Sequence, residues 1–135
     1  MRRDSTLDFG LLVLRVGAGV LLMTHGWAKV MRLIEGGGEQ WADPIGIGPL
    51  PSLALSAFAE FLCALLVVLG VKTRWFAVPI VINLAVAVLV AHANDPFADK
   101  ELALLYLVVF LAIAFTGGGA WSFDGWLDKG RRHRR

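Results

Sequence analysis

Four apolar stretches, separated by short polar segments, dominate the pattern of this chain. They cover approximately residues 9–28, 52–70, 75–91 and 102–116, and the first can continue as a helix to Ile34. Each is roughly 15 to 20 residues long, close to what a helix needs to cross a hydrocarbon layer of about 30 Å. One such run is compatible with a buried helix of a soluble protein, but four in succession are not. The pattern predicts an all-α membrane protein, a bundle of four transmembrane helices.

The segments that flank these stretches predict where helices begin and end. Ser52 follows Pro49-Leu50-Pro51 and is placed to cap the second helix, and the fourth stretch ends at Gly117-Gly118-Gly119. Beyond the glycines, aromatic residues alternate with polar ones. This alternation predicts a short interfacial helix with its rings at headgroup depth, and the rings are those of Trp121, Phe123 and Trp126.

The distribution of lysine and arginine predicts the direction of the helices. The loops over 35–51 and 92–101 are mainly acidic, whereas basic residues gather at both ends and between the second and third stretches. Cytoplasmic segments carry the excess of basic residues, so both termini are expected on the cytoplasmic side of the cell membrane. Lys29 and Arg32, at the outer end of the first stretch, are exceptions that either snorkel outward or belong to a polar site. The basic residues behind this prediction are Arg2, Arg3, Lys72, Arg74 and those of the tail over 129–135.

The composition agrees with a membrane location and excludes several kinds of site. The chain is 57% hydrophobic and 18% charged, and a soluble domain of 135 residues could not bury so much apolar surface. The single cysteine, Cys63, permits neither an internal disulfide nor a thiolate metal cage, and no metal site is predicted. Beside apolar spans, the basic tail favours an anionic lipid bilayer over nucleic acid as its partner.

Two ionisable residues lie inside the apolar stretches. Arg15 lies slightly to the cytoplasmic side of the middle of the first, and Glu60 lies near the centre of the second. Each costs roughly 2.5–3.5 kcal/mol to insert, so each is expected to face a partner or a wet cavity. Their depths are estimated to differ by only about 5 Å at 1.5 Å rise per residue. The sequence therefore predicts an Arg15–Glu60 pair, which serves either as a packing clamp or in a functional site.

A second polar group is predicted near the outer face. Arg15, His25 and Lys29 share one face of the first helix at 100° per residue, His92 ends the third stretch and Glu101 opens the fourth. His25, Lys29, His92 and Glu101 are expected to surround one outward-facing pocket for a ligand headgroup or a proton pathway. The alternative is that these residues form a solvated rim of the membrane protein. The two histidines could in principle ligate a haem, but their spacing does not support it.

Two further polar residues and two glycines belong to this interpretation. Asn83, near the middle of the third stretch, is expected to bond across helices, and Tyr106 belongs either to the pocket or to the interface. Gly19 and Gly26 border the polar face of the first helix and permit close contact with a neighbour.

Several short motifs follow one another along the chain, and they are Leu14–Gly17, His25–Lys29, Glu60, Gly70–Arg74, Ala91-His92, Glu101, Leu104–Tyr106 and Gly117–Asp124. Their order resembles the DoxX family of small four-helix membrane proteins, as one domain over nearly all of residues 1–135. The resemblance implies the fold and the membrane location. The family takes its name from a relation to a subunit of a thiosulfate:quinone oxidoreductase, and some members are described as membrane partners of soluble redox enzymes.

The leading functional hypothesis is a membrane subunit of a redox system, with a quinone-sized pocket between its helices and quinone as its possible cofactor. Arg15, His25 and Lys29 would donate to the carbonyls, while Glu60, His92 and Glu101 would orient them or pass protons. Whether the chain is an enzyme by itself stays open, because no metal or flavin motif supplies electrons. The alternatives are a non-catalytic anchor for soluble oxidative-stress enzymes and a small-solute or proton pathway.

Overall fold

The computed structural model describes residues 4–132, and every regular element in that range is helical. The all-α prediction is confirmed. Of the basic residues used to predict orientation, Arg2, Arg3, Arg134 and Arg135 lie outside the described residues. The helices are α1 (Ser5–Ile34), α2 (Pro49–Leu69), α3 (Thr73–Ala91), α4 (Phe97–Thr116) and α5 (Phe123–Arg132), with a short 3₁₀ turn at Gly37–Gln40.

Three of the described helices, α1, α2 and α3, are long and apolar enough to cross a membrane. The fourth, α4, has 20 residues, but Asp99, Lys100 and Glu101 lie within its first two turns and leave the shorter apolar stretch already seen in the sequence. Large apolar side chains are exposed along all four helices, as they are where lipid rather than water is the solvent. The chain is therefore a multi-pass membrane protein.

The second helix begins earlier than the sequence indicated. Pro49 occupies its first position, after Gly48 at φ 106°, and the helix ends at Gly70, whose φ of 75° gives the left-handed terminus that favours glycine. The prediction that Ser52 caps α2 is wrong. Ser52 lies inside the first turn, where its hydroxyl donates to the Asp43 carboxylate at 2.8 Å.

Close approach of α1 and α2 depends on two glycines. A Cβ on Gly19 would lie 2.4 Å from Val68 Cγ2, and one on Gly26 would lie 2.5 Å from the carbonyl carbon of Glu60. No larger residue fits either position without movement. The four long helices share a buried apolar core, the central core, formed by Leu22, Cys63, Ala64, Val67, Ala77, Ile80, Leu84, Phe110 and Ile113.

The segment after α4 folds back under one end of the bundle. The Asp124 N–H donates to the Gly70 carbonyl at 2.9 Å, and its carboxylate accepts from the N–H groups of Lys72 (2.7 Å) and Thr73 (2.8 Å). Asp124 therefore caps α3 from a distance of about fifty residues in sequence. The predicted short C-terminal helix forms as α5, and it exposes Trp126 and Leu127.

Candidate functional site

Glu60 is the centre of a polar cluster inside the bundle. Its carboxylate accepts hydrogen bonds from Lys29 Nζ and from Asn83 Nδ2, the latter at 2.8 Å, and Lys29 Nζ also donates to Ser56 Oγ at 2.8 Å. The Glu60 side chain is only 6% exposed. A buried carboxylate needs a counter-charge and hydrogen bonds, and side chains from α1, α2 and α3 supply both. We call Lys29, Ser56, Glu60 and Asn83 the Glu60 cluster.

The predicted Arg15–Glu60 pair is wrong. Gly26, not Arg15, lies against the backbone of Glu60, so Glu60 is level with a residue eleven positions further along α1, about 16 Å away. The prediction assumed that the two apolar stretches are centred at the same depth in the membrane. In the structure the contacts of Gly19 and Gly26 determine the register of α1 against α2, and this register places Arg15 far from Glu60. Lys29, one turn beyond Gly26, is the cation that reaches the carboxylate.

Arg15 instead contacts the C-terminal end of α2. Its Nη1 donates to the carbonyls of Val67 (3.1 Å) and Val68 (2.8 Å), and its Nη2 donates to the carbonyl of Trp121 (2.8 Å). The last carbonyls of a helix lack intrahelical partners and carry the negative end of the helix dipole, so a guanidinium stabilises them. The Asp124 carboxylate attracts the same guanidinium. We call these contacts the Arg15 clamp, and Arg15 lines neither of the cavities described below.

The backbone departs from regular α-geometry on both sides of the cluster. The part of α2 from Phe58 to Cys63 is π-helical and contains Glu60, and the last turn of α3, Ala87–Ala91, is π-helical directly before His92. Segments of this kind are rare and occur frequently at functional sites, because the extra residue in the turn redirects the side chains. Both π-helical segments line a cavity.

Two cavities meet at the Glu60 cluster. One, of about 580 Å³, lies between α1 and α4, and the other, of about 660 Å³, lies between α2 and α3 under the loop over 40–45. We call them the α1–α4 cavity and the α2–α3 cavity. Each has the size of a typical small-molecule site. Residues that line both are Lys29, Arg32, Trp41, Glu60, Ala87 and His92.

The linings of the two cavities differ in chemistry. In the α1–α4 cavity, His25 faces Tyr106 with ring centroids 6.0 Å apart in an edge-to-face contact, and Thr24 adds a hydroxyl. The α2–α3 cavity is largely apolar away from the cluster, with walls that include Leu55, Phe58, Pro79, Ile82 and Val86. Two largely apolar cavities, which carry different polar groups, therefore adjoin one ion pair.

Trp41 connects the first loop to the cations of the site. The ring centroid lies 5.7 Å from Lys29 Nζ and 5.3 Å from Arg32 Cζ, within the range of favourable cation–π contact. The loop is held by Asp43, which accepts from the Gly48 N–H at 2.7 Å as well as from Ser52. The Ser52 hydroxyl is the main cause that lowers the pKa of Asp43, so the carboxylate stays ionised and keeps these contacts.

His92 and Glu101, both predicted in the outer pocket, occupy different surroundings. His92 lines both cavities, and its Nδ1 lies 2.6 Å from the carboxylate of Asp95. Glu101 is exposed and lines neither cavity, because the first turns of α4 direct it outward. The structure therefore places His25, Lys29, Glu60, His92 and Tyr106 around the α1–α4 cavity and Asn83 in the α2–α3 cavity.

One feature of the site, the position of Trp41, had no counterpart in the sequence analysis. Trp41 stands in a polar, glycine-rich loop without periodicity, so nothing in the pattern indicated that its ring would cover Lys29 and Arg32. The sequence contained one indication of a polar site here, the unusual position of these two cations beside the acidic loop over 35–51. Among residues 4–132, no group of three or more His, Cys, Asp or Glu side chains is placed to hold a metal ion.

Comparisons with known proteins place these residues in a family. A family model described as DoxX matches residues 10–93, the range that contains the whole Glu60 cluster. The inner membrane protein YqjF of Escherichia coli (strain K12) is 30% identical over 128 residues, covering 90% of this chain and 95% of that protein. CatD of Bacillus subtilis (strain 168), provisionally named an oxidoreductase, is 26% identical over 131 residues, 96% of each chain. An uncharacterised protein of Haemophilus influenzae is 30% identical over 124 residues, covering 84% of this chain and 87% of that protein. No solved structure matches the chain.

Proposed function

This chain belongs to the DoxX family, and from that premise we propose that it is a membrane subunit of a redox system that holds a quinone headgroup beside the Glu60 cluster. The observation that carries the proposal is the Lys29–Glu60 ion pair, which lines both cavities. A buried ion pair contributes little net stability compared with apolar packing, so its presence favours a functional role.

The two cavities suit the two parts of a quinone. Its carbonyl oxygens need hydrogen-bond donors, which the Lys29 ammonium and the exposed His25 ring supply in the α1–α4 cavity. Its ring and tail need apolar walls, which Leu55, Phe58 and Ile82 supply in the α2–α3 cavity. Arg15 is not part of the proposed site, because the clamp holds it at the far end of the central core.

The polar groups also provide for the protons of the reaction. Reduction of a quinone to a quinol consumes two electrons and two protons. The electrons come from a redox partner protein or a small reductant, since this chain offers neither a metal nor a flavin motif. Glu60 and Lys29 are close enough to exchange a proton with each other, and Tyr106, His25 and His92 line the same cavity toward the loops.

The wider arrangement is part of the same proposal. We place α1, α2, α3 and α4 across the cytoplasmic membrane as a single domain, with both termini on the cytoplasmic side and α5 in the interface. The basic residues at the end with the termini support this orientation. The names of the relatives support the location and the reaction class, one as an inner membrane protein and one as a provisional oxidoreductase.

Co-purified quinone tests the proposal. Purification in mild detergent, followed by solvent extraction and mass spectrometry, should yield quinone with the wild-type chain. The substitution Lys29→Met removes a charged hydrogen-bond donor worth about 1.5–3 kcal/mol, so the bound fraction should fall at least about tenfold. The matched control is Lys129→Met, which changes an exposed lysine on α5 and should leave bound quinone unchanged.

A second variant distinguishes loss of quinone binding from loss of folding. His25→Ala removes a donor of the α1–α4 cavity and leaves the Lys29–Glu60 pair intact, so it should lower quinone content in a folded protein. If repeated extraction yields no quinone while cells keep wild-type redox activity, the quinone proposal is wrong.

The exposed face of α5 favours a second candidate, a non-catalytic membrane anchor for soluble redox enzymes. Trp126 and Leu127 are exposed, and Lys129 and Arg131 follow on the same helix. Deletion of residues 129–135 distinguishes the candidates. An anchor should lose its co-purifying protein, whereas the quinone content of a redox subunit should not change.

A further inference from the structure

The Glu60 cluster is connected to the end of the bundle that carries the loops over 35–48 and 92–96, which we call the loop end. Exposure rises in that direction, from 6% for the Glu60 side chain to 19% for Lys29 and 45% for His92. Arg32 and Trp41 border both cavities at this end. A path lined by polar side chains therefore runs from Glu60 to the loop end.

The opposite direction is closed by apolar packing. Between Glu60 and Val67, a distance of about 10 Å along α2, the buried side chains belong to the central core. Phe110 and Ile80 are fully buried there, and Cys63 contributes the core's only heteroatom outside the backbone. The Cys63 thiol is the single side-chain group of this layer that could hydrogen-bond water, and it does so weakly, so we expect the layer to stay dry.

The Arg15 clamp closes the far side of that layer. Arg15 joins α2 to the Trp121 carbonyl, and Asp124 joins α5 to the start of α3. The Ala120 N–H donates to the Asp8 carboxylate at 2.9 Å, which ties the same segment to α1. Hydrogen bonds between the helices and the segment after α4 thus close this end of the bundle. The central core separates these polar groups from the Glu60 cluster.

From this arrangement we infer that the bundle contains a half-channel: water and protons reach the Glu60 cluster from the loop end only. The titratable and charged groups along it are His25, Lys29 and Arg32 from α1, Glu60 from α2, His92 directly after α3 and Tyr106 from α4. The inference concerns access and does not require a quinone. If the proposed function holds, the half-channel determines the side of the membrane with which the reaction exchanges protons. That side is the aqueous phase at the loop end.

Cysteine accessibility in sealed membrane vesicles tests the half-channel. Cys63→Ala first removes the native thiol, and Ala28→Cys then places a thiol in the α1–α4 cavity. A membrane-impermeant maleimide is added from each side in turn. Glu39→Cys marks the loop end, Lys129→Cys marks the other end, and Ala77→Cys places a thiol in the central core.

The thiol at position 28 should react from the same side as the thiol at position 39 and should be protected from the side that labels position 129. The thiol at position 77 should react from neither side, because the attacking nucleophile is the thiolate and a dry core does not support one. Labelling at position 28 from both sides, from the side of position 129 alone, or from neither side would overturn the inference.

The same variants separate this inference from the proposed function. Added quinone should slow labelling at position 28 if the headgroup occupies the α1–α4 cavity. One-sided labelling that quinone does not slow would retain the half-channel and contradict the quinone site. Labelling from both sides that quinone does slow would retain the site and contradict the half-channel.

Discussion

Lys29 and Arg15 are cations on the same helix with different partners. Lys29 meets the only carboxylate of the Glu60 cluster, whereas Arg15 meets backbone carbonyls. The difference follows from what each level of the bundle offers. At Arg15 the end of α2 presents its last carbonyls, and the planar guanidinium can contact several at once. At Lys29 a single carboxylate and a hydroxyl suit a compact ammonium. The sequence identified both cations as unusual, but it paired Glu60 with Arg15 instead of with Lys29.

The Lys29–Glu60 pair should show strong coupling in a double-mutant cycle. Lys29→Met leaves a buried carboxylate without its counter-charge, and the free energy of unfolding in mixed micelles should fall by about 3–5 kcal/mol. Adding Glu60→Gln removes the unpaired charge, so the double variant should be more stable than Lys29→Met alone. Additive effects of the two substitutions would show that the pair does not form.

At the scale of helices, the register of α1 against α2 determines the composition of the site. Gly26 lies against Glu60 and Gly19 lies against Val68, so the two helices approach closely over about two turns of α1. The sequence indicated that these glycines permit close contact. It did not indicate which residues of α2 they face, because apolar stretches of similar length can slide past one another without changing the hydrophobic pattern.

Substitution of Gly26 should be costly, whereas a matched glycine of the same helix should tolerate it. Gly26→Ala places a Cβ 2.5 Å from the backbone of Glu60, which separates the helices and should destabilise the bundle by about 1–3 kcal/mol. At Gly17 the space that a Cβ would occupy is open, with no neighbouring atom within 4 Å, so Gly17→Ala should be neutral or stabilise by about 0.4–1 kcal/mol.

Unfolding of both variants in mixed micelles measures the difference. Equal stability of the Gly26→Ala and Gly17→Ala variants would contradict the close contact between α1 and α2.

At the scale of the whole molecule, the segment after α4 closes one end of the bundle. It contacts α1 through Asp8 and Arg15, the end of α2 through Gly70, and the start of α3 through Asp124. Residues separated by more than a hundred positions therefore meet at one end, and the Glu60 cluster lies toward the other. The separation of the two polar regions by the central core supports the half-channel.

Loss of the Asp124 contacts should loosen the closed end. Asp124→Ala removes the cap of α3 and should cost about 0.5–2 kcal/mol, and it should speed proteolytic cleavage near α5. Asp128→Ala changes an exposed carboxylate on the same helix and should alter stability by less than about 0.5 kcal/mol.

Limited proteolysis of the purified protein in detergent compares the two cleavage rates. Identical rates for the two variants would contradict the role assigned to Asp124.

The sequence by itself determined the helical class, the membrane location, the family and most of the polar residues that line the cavities. It could do so because insertion into lipid depends on composition over whole stretches, and because a charged residue in such a stretch stands out locally. Only the tertiary structure decided that Glu60 pairs with Lys29, that Arg15 closes the end of α2 and that Trp41 covers the cations. These outcomes depend on helix register and on the path of a loop, which are set by contacts between residues far apart in the chain and leave no periodic trace in the sequence.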